Sequence, residues 1–72
     1  MNKWVVLAVY NDYISIVTDY DEATGKETQK FETEEDAIVF AKREFSKYPG
    51  GLFVAKMTHF VGVVAEPEVT VL

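Results

Sequence analysis

The fold is decided by residues 33–48, TEEDAIVFAKREFSKY, the one stretch of this chain with clear helical periodicity. Thr33 is a favourable N-cap, because its hydroxyl can accept a hydrogen bond from a free backbone N–H of the first turn. Acidic residues come first and basic residues last, as the helix dipole prefers, and Pro49 with the following glycines ends the helix. The apolar positions that recur at helical spacing are Ala37, Ile38, Phe40, Ala41, Phe45 and Tyr48. This stripe predicts an amphipathic helix that covers a sheet, with Phe45 so buried that Phe45→Ala costs about 3–5 kcal/mol.

The N-terminal residues predict a β-hairpin. Residues 3–10 are apolar and β-rich, and residues 13–20 alternate with the period of a strand. Asn11 and Asp12 between them tolerate the positive φ angles of a two-residue turn. This turn pairs Leu7 with Ile16 and Val6 with Val17.

The same pairing divides the hairpin into two faces. We expect the helix to cover the face that carries Val5, Leu7, Val9, Ile14 and Ile16. The opposite face then carries Trp4, Val6, Tyr10, Tyr13 and Val17. Such an aromatic, apolar outer face predicts an interface with a second copy or with a foreign protein, unless the C-terminal tail folds back over it.

The remaining strands follow from turn residues and apolar runs. Gly25 in the turn at residues 21–26 leads into a third strand at about residues 26–32, which places Phe31 beside Ile16. A fourth strand occupies residues 52–60. The tail, residues 61–72, contains either a short edge strand or a segment that pairs with another chain.

These elements predict a single small α+β domain over residues 1–72. The sheet has three to five strands, mixed or antiparallel, with one helix packed on one face in the order β-β-β-α-β.

Composition excludes several functional classes. The chain of 72 residues has no cysteine, a net charge of −5 and no apolar run near the roughly 20 residues of a membrane span. We therefore expect a cytoplasmic protein without a membrane partner. Eight acidic residues and two lysines lie in residues 19–36, which disfavours nucleic-acid binding. The acidic residues, Glu34 and Glu35 among them, could bind a basic partner, imitate DNA or serve only solubility.

No pattern of catalytic, cofactor-binding or metal-ligating residues is present. His59 is the only histidine, and neither Ser15 nor Ser46 stands in a nucleophile motif. Glu34, Glu35 and their neighbour Asp36 fan out around the helix and cannot converge on one ion. The glycines at 50 and 51 follow a helix, whereas a phosphate-binding loop precedes one. We expect no enzyme activity, no cofactor and no metal.

Part of the chain resembles a known family. The pattern consists of Glu32, Thr33, Glu35, Asp36, Ala37, Ile38, Phe40, Ala41, Phe45, Pro49, Gly51, Leu52, Val54 and Lys56. Over residues 32–58 the chain thereby resembles the small RNA-polymerase inhibitor proteins of T-odd phages, which pack a helix on a three-stranded sheet. The family engages the bacterial enzyme through two basic residues one position apart. Lys56 matches the first of these, and Thr58 stands where the second base is expected.

The resemblance implies a non-enzymatic, phage-type binding protein. Such a protein would act in the host cytoplasm and modulate a host macromolecular enzyme, such as RNA polymerase, through Lys56, the acidic residues or both. The alternative is a self-associating structural or accessory domain, a homodimer formed through Trp4, Tyr10 and Tyr13.

Overall fold

The computed structural model describes residues 2–63 and 67–72, and the side chains of residues 2–61 and 69–72. The elements in these residues are β1 (Trp4–Val9), β2 (Ile14–Ile16), β3 (Asp19–Asp21), β4 (Lys26–Thr28), α1 (Glu34–Glu44), a 3₁₀ turn (Phe45–Lys47), β5 (Leu52–Lys56), β6 (His59–Val63) and β7 (Pro67–Val71). The α+β class is confirmed, since one helix accompanies antiparallel strands throughout the described part. The structure has more and shorter strands than the predicted order β-β-β-α-β contains.

The helix begins as its sequence predicts. Thr33 has an extended backbone, and its Oγ1 accepts a hydrogen bond of 3.1 Å from the backbone N–H of Asp36. The capping hydroxyl satisfies one of the free N–H groups of the first turn. At the far end, Gly51 adopts φ +81°, which favours glycine, and the chain turns there into β5.

The buried side of α1 is narrower than its apolar stripe. Ala37 and Phe40 are its buried residues, whereas Phe45 is 63% exposed, so the prediction that Phe45 is buried was wrong. Phe45 follows α1 and lies at a groove that Leu52 and Val54 of β5 also line. Because β5 is an edge of the described sheet, no further strand lies beneath Phe45 to cover it.

The main sheet has the order β2-β1-β5, with β1 in the centre. The predicted hairpin register is confirmed, since Leu7 pairs with Ile16 and Val9 pairs with Ile14, but the predicted positive φ angles at Asn11 and Asp12 were wrong, because neither residue has one. The register continues beyond β2, where the backbone N–H of Val17 donates to the carbonyl of Val6 at 2.9 Å. On its other side, β1 pairs antiparallel with β5.

The helix covers the opposite face from the one we predicted. The core consists of Val6, Ala8, Val17, Phe31, Ala37 and Phe40, with Trp4, Ala41, Tyr48, Leu52 and Val54 packed against it. Val6, Val17 and Trp4 are therefore inner residues, and the prediction that they face outward was wrong. A register determines which residues share a face but leaves open which face a helix covers. The small side chains of Ala8 and Ala37 are both fully buried where helix and sheet meet, and they permit a close approach of α1.

Phe31 enters this core by a different pairing from the predicted one. Its backbone exchanges two hydrogen bonds with Trp4, of 2.7 and 3.0 Å, and its ring stacks on Phe40 at 5.3 Å. Ile16, its predicted neighbour, lies on the other side of the sheet. Burial of Phe31 was thus foreseeable, but its neighbours were not.

The predicted fourth strand is broken at Met57 and Thr58 into β5 and β6. The second piece, β6, pairs antiparallel with β7. We call β6 and β7 together the C-terminal arm. At its base the N–H of Leu72 donates a hydrogen bond of 2.8 Å to the carbonyl of Thr58, which extends the β6–β7 pairing by one residue pair. The chain has a radius of gyration of 14.1 Å, against about 11 Å for a compact domain of this length, so the molecule is extended.

Candidate functional site

The first candidate surface is the side of the main sheet that faces away from α1. We call it the open face, and its members are Leu7, Val9, Ile14, Ile16 and Phe53. Leu7 of β1 pairs with Ile16 on one side and with Phe53 on the other, so these three form one apolar row across the sheet. Val9 and Ile14 form the next row.

Towards its Val9 end the open face is exposed to solvent, whereas Val5, on the same side of β1, is only 5% exposed. Four of its members, Val9, Ile14, Ile16 and Phe53, are between 38 and 64% exposed. An antiparallel sheet covered by one helix normally presents polar residues to water on its second face. An apolar second face marks an interaction surface.

The second candidate surface is one side of the C-terminal arm. Val61 pairs with Val69, and Val71 lies two residues further along β7, so all three point to the same side. We call these three valines the arm face; they are between 58 and 73% exposed. Thr70 and Phe60 pair on the opposite side of the arm. In the sequence, Val69 and Val71 alternate with Thr70. This alternation already indicated a strand whose two sides differ.

The predicted aromatic interface is divided by the structure. Tyr10 and Tyr13 stack with their ring centroids 4.5 Å apart and are exposed, beside the turn between β1 and β2. Trp4 lies at the other end of β1, about 20 Å away along the strand, and packs partly buried against the core. The three residues therefore do not form one surface, and binding through Tyr10 and Tyr13 stays a prediction.

The predicted charged site residues lie apart from the open face. Lys56 is exposed at the end of β5, and its Nζ lies 5.8 Å from the centre of the Trp4 ring. Because Lys56 pairs with Trp4, it shares the helix side of the sheet. Glu34 and Glu35 are exposed in the first turn of α1.

The ion pairs in the described residues brace the far end of α1. Arg43 bonds Asp19 at 2.7 Å, and Lys47 bonds Glu44 at 2.7 Å. The hydrogen bond from Lys47 lowers the pKa of Glu44, and the same bond raises the pKa of Lys47. These groups are on the surface, where an ion pair contributes little stability. Their position suits a structural role at the end of the helix.

Side chains that could catalyse a reaction or bind a metal do not cluster in the described part of the chain. No three acidic or histidine side chains converge there as metal ligands would. His59 is exposed, and its Nδ1 lies 2.8 Å from Oγ1 of Thr58. Of the described helices, none has the length and apolar character needed to cross a membrane.

One apolar hollow of about 290 Å³ lies beside the paired tyrosines. Tyr10, Tyr48 and residues 49–51 line it, together with residues of β1. Asn11 also lines it, so the lining has one amide side chain and no charged side chain, whereas a small-molecule site normally combines several polar groups that orient its ligand. The hollow therefore does not indicate a ligand class.

No protein-family model, curated protein or solved structure matches this chain. The likeness to phage RNA-polymerase inhibitors in residues 32–58 accordingly stays a prediction.

Proposed function

We propose that this chain is a non-catalytic protein-binding module and that the open face is its binding surface. The observation that supports the proposal most directly is the row of Leu7, Ile16 and Phe53 across three strands, left uncovered by α1. Burial of such residues against a partner is favourable by about 25 cal/mol per Å² of apolar area. Ile16 and Phe53, both about half exposed, lie on the two outer strands of this face, on either side of Leu7.

The distribution of charge supports an apolar contact over an electrostatic one. The open face is made of aliphatic and aromatic residues, while eight of the twelve acidic residues lie in residues 19–36. Asp19, Asp21 and Lys26 of this segment belong to the separate β3–β4 pair. A partner can therefore cover the open face without desolvating these charges, which would be costly.

Two adjacent residues of β2 provide a matched test of this surface. Ile16 lies on the open face, whereas Ser15 pairs with Ala8 on the helix side of the sheet, and both are exposed. A tagged copy of this chain is incubated with an extract of the cells that produce the chain. The extract also contains an untagged copy of the chain. We expect the parent and Ser15→Lys to retain the same protein, either the untagged copy or a different one. Ile16→Lys should retain at least tenfold less, because the lysine places a charge in the apolar contact.

Two outcomes would contradict the proposal. Either the parent retains neither its own copy nor another protein, or Ile16→Lys retains as much as Ser15→Lys. Circular dichroism of each variant shows whether the fold is preserved.

A second candidate function is modulation of a host macromolecular enzyme, for which Lys56 is the favouring observation. This lysine is exposed at the end of an edge strand, within reach of a partner that does not touch the open face. The probe is purified bacterial RNA polymerase. If this function is correct, the parent binds the polymerase, Lys56→Glu binds at least tenfold more weakly, and Lys26→Glu, which alters an exposed lysine of β4, binds like the parent. Absence of binding by the parent, or equal binding by Lys56→Glu, would exclude it.

A further inference from the structure

We propose that the partner of the open face is a second copy of this chain, and that the C-terminal arm of each copy lies on the open face of the other. This inference rests on the proposed function and specifies its partner. It joins the open face to the arm face, the two exposed apolar surfaces described above.

The arm needs a surface to pack on. A two-stranded ribbon is marginally stable by itself in water, and it becomes stable when its apolar side packs on another element. Among the described residues, the hydrogen bond that joins the arm to the rest of the chain lies at its base, where Nζ of Lys3 donates to the carbonyl of Leu72. Val61, Val69 and Val71 point to solvent beyond that base. Packing of the arm face against an apolar sheet would supply the missing contacts.

The arm and the central strand of the main sheet have similar lengths. Each strand of the arm has five residues, which corresponds to a length of about 17 Å. The six residues of β1, at the centre of the open face, span about 20 Å. Two apolar sheets pack face to face at a separation of about 10 Å, so the arm can lie along the open face as a second layer.

The exposed area of the single chain is that expected of half a dimer. The chain has an accessible surface of 5691 Å², whereas a compact monomer of 8.2 kDa exposes about 4,500 Å². The excess is about 1,200 Å². A stable protein interface buries about 800 Å² on each partner, so a contact of that size would bury about two thirds of this excess.

A second copy covers both surfaces at once, which a foreign protein on the open face alone would not. In a two-fold dimer, each contact occurs twice, and the arm of one copy on the face of the other implies the reverse contact. The assembly closes at two copies and covers both the open face and the arm face of each copy. This closure is the reason to prefer a second copy as the occupant.

The oligomeric state of the full chain tests the proposal, with one variant and one control on each surface. Ile16→Lys alters the open face and Ser15→Lys the opposite side of the same strand. Val71→Glu alters the arm face and Thr70→Glu the opposite side of the arm. Sedimentation at micromolar concentration should give twice the 8.2 kDa chain mass for the parent and for both controls. Ile16→Lys and Val71→Glu should each sediment as monomers, with dimer dissociation constants raised at least tenfold.

A mixture of the two monomeric variants distinguishes arm exchange from other dimers. One contact in the mixed dimer joins an unaltered arm to an unaltered face, and the other places the introduced glutamate beside the introduced lysine. Mixing Ile16→Lys with Val71→Glu in equal amounts should therefore restore the dimer. Val69→Glu provides a second arm variant, and circular dichroism monitors folding.

Three results would overturn the inference. A monomeric parent excludes it, whether the arm folds back on its own sheet or stays free. A Val71→Glu protein that dimerises like the parent indicates that faces meet without the arm. Failure of the mixture to dimerise excludes reciprocal exchange. The proposed function survives a monomeric parent if Ile16→Lys still loses capture of a different protein, and fails if nothing is captured or if Ile16→Lys captures as much as Ser15→Lys.

Discussion

Phe40→Ala is expected to lower the free energy of unfolding by about 3–5 kcal/mol, the usual loss for a buried aromatic residue. Phe40 is 3% exposed and stacks on Phe31 at the junction of α1 with the main sheet. Its ring also lies 5.2 Å from the guanidinium carbon of Arg43. Since a small domain has a total stability of only about 5–15 kcal/mol, this loss is a large share of the total and should clearly lower the midpoint of unfolding. Urea titration followed by circular dichroism measures it, at one protein concentration for all variants because association adds stability.

Phe45→Ala is the matched control for this experiment. The two phenylalanines are five residues apart and belong to the same apolar stripe, but Phe45 is 63% exposed. Its truncation should lower the free energy of unfolding by less than about 1 kcal/mol, since surface substitutions have small effects. A loss at Phe45 as large as that at Phe40 would show that the groove beside β5 belongs to the core.

Val6→Asp is expected to prevent folding. Val6 lies at the centre of β1, is 0% exposed, and is surrounded by Ala8, Ala37 and Phe40 in the apolar core. A carboxylate at this position would be buried without a partner, which costs several kcal/mol even after relaxation. We expect loss of the near-ultraviolet circular dichroism signal and rapid cleavage by a protease, both measured at neutral pH.

Val9→Asp, on the same strand, tests which face the helix covers. Val9 belongs to the open face and is partly exposed, so its carboxylate can reach water. The variant should keep its fold while its self-association weakens. If Val9→Asp unfolds and Val6→Asp folds, the helix covers the face of Leu7 and Val9 instead.

The site was only partly predictable. The sequence indicated that one apolar sheet face would stay uncovered, but we assigned Trp4 and Val6 to that face in place of Leu7 and Ile16. Both faces of the hairpin are apolar, so hydrophobicity does not distinguish them. The arm face was not predicted either, although the valines at 69 and 71 alternate with a threonine.

What the sequence by itself determined was local. The N-cap at Thr33, the hairpin register and the strand character of residues 4–9 follow from side-chain chemistry within a few positions. The tertiary structure decided the face that α1 covers, the exposure of Phe45 and the projection of the arm beyond Thr58. These depend on contacts between residues far apart in the chain, such as Ala8 with Ala37, for which periodicity within one segment contains no information.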